Sequence, residues 1–422
     1  MSATTSTLEM GPVYVPQTRR RVLGFVFLGL AASIWLVFLR GIDPTMDTTM
    51  RLYPGGSTVV IDDWVFNTQN MLWLLAAGCA AVGGFQLVRG FGRRTGLAFA
   101  LVGGMFVFAF LSWAASGGTL NLAGMLRITL VRSVPLTLGA MSGILCERAG
   151  VVNIAIEGMM LTAAMIGTIV GSVSTLWIGL LGAVLAGGLL GLVHAVMSIK
   201  YRTDQIISGT VINIFAVGIT SFISGKFMQP MPQFNDPGIF VPYEIPLLGQ
   251  IPVLGPVLFR NNIFVYSMIF FVVFLTFMLF KTRWGLRHRA VGEHPKAADT
   301  LGINVFRTRY VAVILGGMMA GLAGAYFTLG SVGKFDQVMT SGRGFIALAA
   351  MIFGNWTPVG AMIAGLLFGF SDSLAASLAL LRVKIPSEFL LMTPYLITML
   401  VLAGVVGRGQ MPAADGTPYE KE

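Results

Sequence analysis

Charge is what this 422-residue chain has least of: Asp, Glu, Lys and Arg together make up 11% of it, against about 25% in an ordinary soluble domain. So few ionic side chains exclude a solvated globule. Cysteine is almost missing, with only Cys79 and Cys146. The first lies inside an apolar run and the second just inside the end of another, so no disulfide framework can be read. The three histidines, His194, His288 and His294, show no metal-ligand spacing with carboxylates, and no Ser/His/Asp set has supporting context. Nothing here points to an enzyme. A G-x-x-x-x-G-K-[ST] phosphate loop is missing too: the Gly225–Lys226 and Gly333–Lys334 pairs lack the earlier Gly and the following Ser or Thr. No cofactor is expected on this chain, and any ATP must be hydrolysed elsewhere.

What is present is apolar. Hydrophobic residues make up 55% of the chain and the mean hydropathy is +0.80. A helix needs roughly 20 residues to cross about 30 Å of hydrocarbon. Runs near that length fall at 22–39, 71–88, 95–115, 128–146, 151–172, 176–198, 205–225, 262–280, 309–330, 344–355, 358–381 and 387–406. The run 344–355 is too short to cross alone. Arg19 to Arg21 precede the first run as in a signal peptide, but "FLRGIDPTMD" offers no small-x-small cleavage site, so a retained span is expected. The expected fold class is an all-α polytopic membrane protein with about 10–12 transmembrane helices.

Basic residues enrich cytoplasmic loops. With the N-terminus placed inside, the whole excess of +10 falls on the inner side, and both termini are cytoplasmic. A basic face beside anionic lipid accounts for the pI near 9.9 without nucleic acid. Residues 1–21 are a cytoplasmic tail, 22–115 an appended bundle of about three spans, 116–406 the main transmembrane domain and 407–422 a cytoplasmic tail. Two outer segments are long: 40–70, with Asp43, Asp47, Asp62 and Asp63, and 226–261, where repeated Pro forbids a continuous helix. Gly187 with Gly191, Gly317 with Gly321, and Gly365 with Gly369 form small-xxx-small faces, for close packing or for sliding. A weak echo links "MLTAAMIG" at 160–167 with "IALAAMIFG" at 346–354.

The inner segment 281–309 holds seven basic residues, from Lys281 to Arg309. Pro295 fits a first helical turn and Gly302 a left-handed stop, predicting about two turns of surface helix. Ala297, Ala298 and Leu301 give it a small apolar face suited to a groove on a cytoplasmic partner.

Here the residues carry a resemblance. "ERAGVVNIAIEGMM", "DQIISGTVINIFA", "GLRHRAVGEHPKAADTLGI" and "RGFIALAAMIFGNWTPVGA", in this order across residues 120–406, resemble permease subunits of bacterial ATP-binding cassette importers of the nucleoside and simple-sugar branch. That resemblance implies the ABC importer permease fold, in the bacterial inner membrane. It also implies a cytoplasmic ABC ATPase, a second and paralogous permease subunit, and an extracytoplasmic substrate-binding protein. The ATPase-coupling residues would be Gly292, Glu293, Pro295, Ala297, Ala298, Leu301 and Gly302. The solute would be small and neutral, a nucleoside or simple sugar. The alternative is an ion-coupled secondary transporter using intramembrane carboxylates. The first 115 or so residues depart from the family's pattern.

Polar groups inside spans are costly and usually face the bundle interior. The substrate-pathway candidates are therefore Asn153, Glu157, Ser208, Asn213, Asn355 and Asp372. Four of them, Asn153, Glu157, Asn213 and Asp372, have a second reading. Asn153 can cap the following helix with Glu157 in its first turn, or Val151 to Glu157 can form an irregular stretch lining the pathway. Asn213 and Asp372 can meet a sugar hydroxyl or pin one helix to another. Trp356 is an interfacial anchor or a stacking platform.

Overall fold

The computed structural model describes residues 17–55, 61–381, 392 and 410–421. Among them, ten helices are long and apolar enough to cross a membrane, and the chain is an all-α polytopic membrane protein apart from two small sheets. The run expected at 387–406 lies outside the described residues apart from Met392. The chain divides into two compact units, one holding 1–122 with 377–385, the other 123–376 with 386–422.

In the first unit, helices α1 (Gln17–Ser33), α2 (Thr68–Val88) and α3 (Thr95–Ala114) close on Phe27, Ile34, Leu72, Cys79, Val102 and Ala109. The acidic stretch after α1 forms part of a three-stranded sheet. Strand β1 (Asp47–Arg51) pairs antiparallel with β2 (Trp64–Asn67) and parallel with β3 (Thr119–Asn121). Alternating burial along β1 turns Thr48 inward, where its hydroxyl bonds Thr68 Oγ1 at 2.7 Å.

In the second unit, α4 (Leu122–Glu147), α5 (Ile156–Val173) and α12 (Val305–Phe327) are the most buried helices. Around their core of Met141, Met160, Phe264, Met268 and Ala323 stand α6 (Leu176–Ala195), α7 (Gln205–Ile223) and α9 (Ile263–Lys281). These three expose apolar residues such as Leu185, Leu189, Val211, Ile214 and Phe270, as lipid contact requires. The Pro-rich segment contains the five-residue helix α8 (Leu254–Leu258) and a two-strand pairing of β4 (Tyr243–Glu244) with β5 (Arg260–Asn261). Helices α10 (Arg283–Glu293) and α11 (Pro295–Thr300) follow α9. Helix α13 (Arg343–Phe353) and the span α14 (Pro358–Leu380) complete the described elements.

The glycine faces are packing seams. A Cβ added at Gly187 would overlap the Gly317 carbonyl and lie 2.6 Å from Gly321 Cα, so α6 and α12 cross backbone to backbone. Gly369 meets the Thr129 carbonyl of α4 in the same way. A further seam joins α4 to α13: added Cβ atoms at Gly139 and Gly143 would lie 2.8 Å from Ala347 Cβ and 2.6 Å from Met351 Sδ.

Candidate functional site

Helix α4 stops after Glu147, and Gly150, at φ 81°, turns the chain out of helical geometry. Residues 151–155 then run without regular structure before α5 begins. Buried backbone of that kind needs partners, and side chains from other helices supply them. Gln205 Oε1 accepts the Val152 amide at 2.7 Å, and His194 Nε2 meets the Val152 carbonyl at 2.9 Å. Asn213 grips both sides of the break: its Nδ2 donates to the Ile154 carbonyl at 2.9 Å, while its Oδ1 accepts the Gly158 amide at 2.8 Å. Ser208 Oγ lies 3.1 Å from His194 Nδ1.

The capping expected of Asn153 is not what forms. Ala155 is the residue before α5, and the Asn153 oxygen accepts the Ala155 amide at 3.1 Å in a local Asx turn. The first turn of α5 is capped across the bundle by Asn213 instead. Periodicity cannot reveal a cap 55 residues away.

Glu157 stands in the first turn of α5, as expected, and 6% exposed. Its carboxylate serves another helix. After α12 the chain runs back from Gly333 to Gly342 without helix, with Val338 and Ser341 at φ 54° and 47°. Helix α13 then starts with its first amides aimed at Glu157. Oε1 accepts from Thr340 Oγ1 at 2.6 Å and the Gly342 amide at 2.8 Å, and Oε2 accepts from the Gly344 amide at 2.5 Å. Anionic oxygen at a helix N-terminus is favourable. The short 344–355 run is thus a half-helix preceded by irregular backbone. Two helix N-termini therefore meet at one buried carboxylate of the protein itself.

The other candidates separate. Asn153, Glu157, Ser208 and Asn213 gather at the break. Asn355 is exposed and its Oδ1 accepts the Gln410 amide at 3.0 Å, beside the C-terminal segment. Asp372 is half-buried on α14, and its backbone carbonyl accepts from Arg132 Nη1 at 2.6 Å. Trp356 is neither an interfacial anchor nor an open platform. It is buried, at φ 51°, and its indole donates to Glu147 Oε2 at 2.6 Å. Asn355, also at positive φ, has its carbonyl held by Arg148 Nη2 at 3.2 Å, so two uncommon backbone conformations are fixed by α4 and the residue after it.

The segment 281–309 contains more helix than expected, because Thr282 caps α10 through the Gly285 amide at 3.1 Å. Pro295 opens α11, His294 Nδ1 accepts the Ala297 amide at 3.1 Å, and Gly302 follows at φ 79°. Its apolar face is divided. Ala298 turns inward to Val291, Val305 and Tyr419, while Ala297 and Leu301 face out, Leu301 at 82% exposed. A six-residue helix packed on one side cannot present all three outward. Gly292 presses so closely on the residues after α4 that an added Cβ would overlap the Arg148 carbonyl. His288 Nε2 lies 2.9 Å from the Leu145 carbonyl. Burial pushes that histidine down to about 4, so the ring is neutral near pH 7 and carries its proton on the nitrogen facing the carbonyl.

The break, with its amides, hydroxyls and one committed carboxylate, lies inside an apolar helical bundle of a polytopic membrane protein. The family profile described as branched-chain amino acid transport system, permease component, matches residues 124–405. The chain belongs to that family. It is 43% identical over 304 residues to the guanosine ABC transporter permease protein NupQ of Bacillus subtilis, covering 69% of this chain and 95% of the relative. It is 40% identical over 307 residues, with the same coverage, to the nucleoside ABC transporter permease protein NupC of Lactococcus lactis. The putative glucose ABC transporter permease protein TsgC13 of Haloferax volcanii is 36% identical over 254 residues, 60% of this chain and 77% of the relative. No solved structure matches the chain.

Proposed function

We propose that this permease is the membrane subunit of an ATP-binding cassette importer that carries nucleosides into the cytoplasm. The observation that carries this reading is the 43% identity to a guanosine permease across 95% of that protein's length. The chemistry of the break is compatible with it, because Asn153, Ser208 and Asn213 are engaged within the protein and leave no free charge there for a neutral solute to meet. With all three donors already on Glu157, its carboxylate is occupied structurally, which disfavours the ion-coupled alternative.

In this reading the end bearing α10 and α11 is cytoplasmic. Ala297 and Leu301 meet a separate ATPase, which binds the ATP, so this chain needs no cofactor. A second permease subunit completes the pathway and an extracytoplasmic binding protein delivers the solute at the opposite end. Both termini and Arg89 to Arg94 lie on the cytoplasmic side.

The test is reconstitution in liposomes with those three partners and radiolabelled guanosine, glucose or leucine. Guanosine uptake that needs ATP and survives collapse of the proton gradient is expected. Uptake without ATP that stops when the gradient collapses overturns the importer. ATP-driven uptake of glucose or leucine in place of guanosine overturns only the substrate.

A further inference from the structure

The C-terminal segment Gln410–Lys421 has no regular secondary structure, yet three of its residues, Pro412, Ala414 and Tyr419, are buried. It is held at both ends and in the middle. The Gln410 amide bonds Asn355 Oδ1 at 3.0 Å, the Ala413 amide bonds Glu293 Oε2 at 3.2 Å, and the Ala414 amide bonds the Gly292 carbonyl at 2.9 Å. Farther along, the Tyr419 ring lies 5.3 Å from that of Phe306 and packs with Val291, Ala298 and Val305. Glu420 pairs with Arg202, and Lys421 with Asp299 at 3.7 Å.

Arg309 sits under this segment, 2% exposed. Its Nη1 donates to the Thr417 carbonyl at 2.9 Å and its Nε to the Ala149 carbonyl at 3.2 Å. One guanidinium therefore joins the C-terminal segment to the turn that leads into the break before α5. On the other side of that turn lies Gly292, the end of α10. Helix α10, the turn and the segment form one closed circuit of contacts.

We propose that Gln410–Lys421 is a strap that clamps α10 and α11 onto the Arg148–Gly150 turn, with Arg309 as the positioning residue. Displacement of the two short helices by the ATPase then reaches Val151 to Ala155 as movement of one body. This inference rests on the importer reading, which makes α10 and α11 the driven end. Without the strap, the short helices can shift while the turn stays in place, so ATP is spent without transport.

The experiment uses the complete reconstituted importer and reads solute taken up per ATP hydrolysed. Deleting 410–422 is expected to lower that ratio about tenfold, within the ordinary span of a coupling free energy between two sites. ATPase association should persist. Two milder variants guard against misfolding. Arg202→Glu and Glu420→Arg should each lower the ratio, and the double exchange should restore it, which loss of fold would not allow. Arg309→Lys, which keeps the charge but not the two-pronged reach, should fall between the wild type and Arg309→Gln. A truncated importer with the wild-type ratio overturns the strap, as does a charge exchange with no rescue. A wild-type importer idle with ATP overturns the function itself, so the two failures are distinguishable.

Discussion

The carboxylate of Glu157 lies 2.5 Å from the backbone amide of Gly344, so a side chain in the first turn of one helix closes the first turn of another. The approach is tight on both sides, since a Cβ added at Gly344 would lie 2.6 Å from Glu157 Cα. Glu157 therefore fixes α13 against α5 by charge and Gly344 permits it by size.

Substitution at this contact should cost stability in a set order. Glu157→Ala leaves the Thr340, Gly342 and Gly344 donors without their acceptor, at about 3 kcal/mol, while Glu157→Gln keeps the shape but turns an amide nitrogen toward one donor, at about 1–3 kcal/mol. Thermal unfolding in detergent checks this. A Gln variant with the native midpoint would show that the charge is not part of the cap.

The crossing of α6 and α12 should be intolerant of bulk. Gly317→Leu forces the helices apart against the Gly187 carbonyl, with an expected loss of about 1–3 kcal/mol or more. Gly218→Ala on α7 is the control, having no neighbour within 4 Å of an added Cβ, and should be neutral or slightly stabilising. Equal loss in both variants would contradict the seam.

Orientation is tested by thiol labelling. Cys79 and Cys146 are buried, and the labelling is done after both are changed to Ala. Leu247→Cys, at a position 81% exposed in the Pro-rich segment, should react with an impermeant reagent in intact cells. Leu301→Cys, at 82% exposed just after α11, should react only after lysis. The reverse pattern would invert the proposed topology.

The strap should loosen with rising pH. Burial raises the Asp415 carboxyl to about 7, against the lowering effects of Glu147, the Gly416 amide and Arg309. An acid whose pKa is higher docked than free takes up a proton on docking. Docking is then fully favoured below the free value of 3.8 and weakens as pH rises through about 7. Hydrogen exchange across 410–421 should accelerate from about pH 4 to 7 beyond the intrinsic chemical increase and gain no further excess above that, and Asp415→Asn should remove the excess. An unchanged excess in the Asn variant would remove Asp415 as its source.

Several site residues were legible in the sequence for one reason: a polar residue inside an apolar run must be accounted for, and Glu157 and Asn213 both were. The strap was not legible, because "MPAADGTPYEKE" reads as an ordinary polar tail and its anchors, Arg202, Arg309 and Asn355, lie far away in the chain. Gln205 and His194 also went unmarked, since each stands near a helix end where a polar side chain needs no explanation. Ala298 carried the opposite error. Its smallness suggested a groove outside, whereas the small residue was required by Val291 and Tyr419 inside.

By itself the sequence determined the membrane class, the positions of the described spans, the stop at Gly302 and the half-length of α13, because run length, hydropathy and backbone preference are local properties. Which polar groups meet was decided only by the tertiary structure. Glu157 reaches Gly344 across 187 residues and Arg309 reaches Ala149 across 160. In an apolar bundle each buried donor must find an acceptor wherever packing brings one, so these pairings depend on which helices come together rather than on any spacing along the chain.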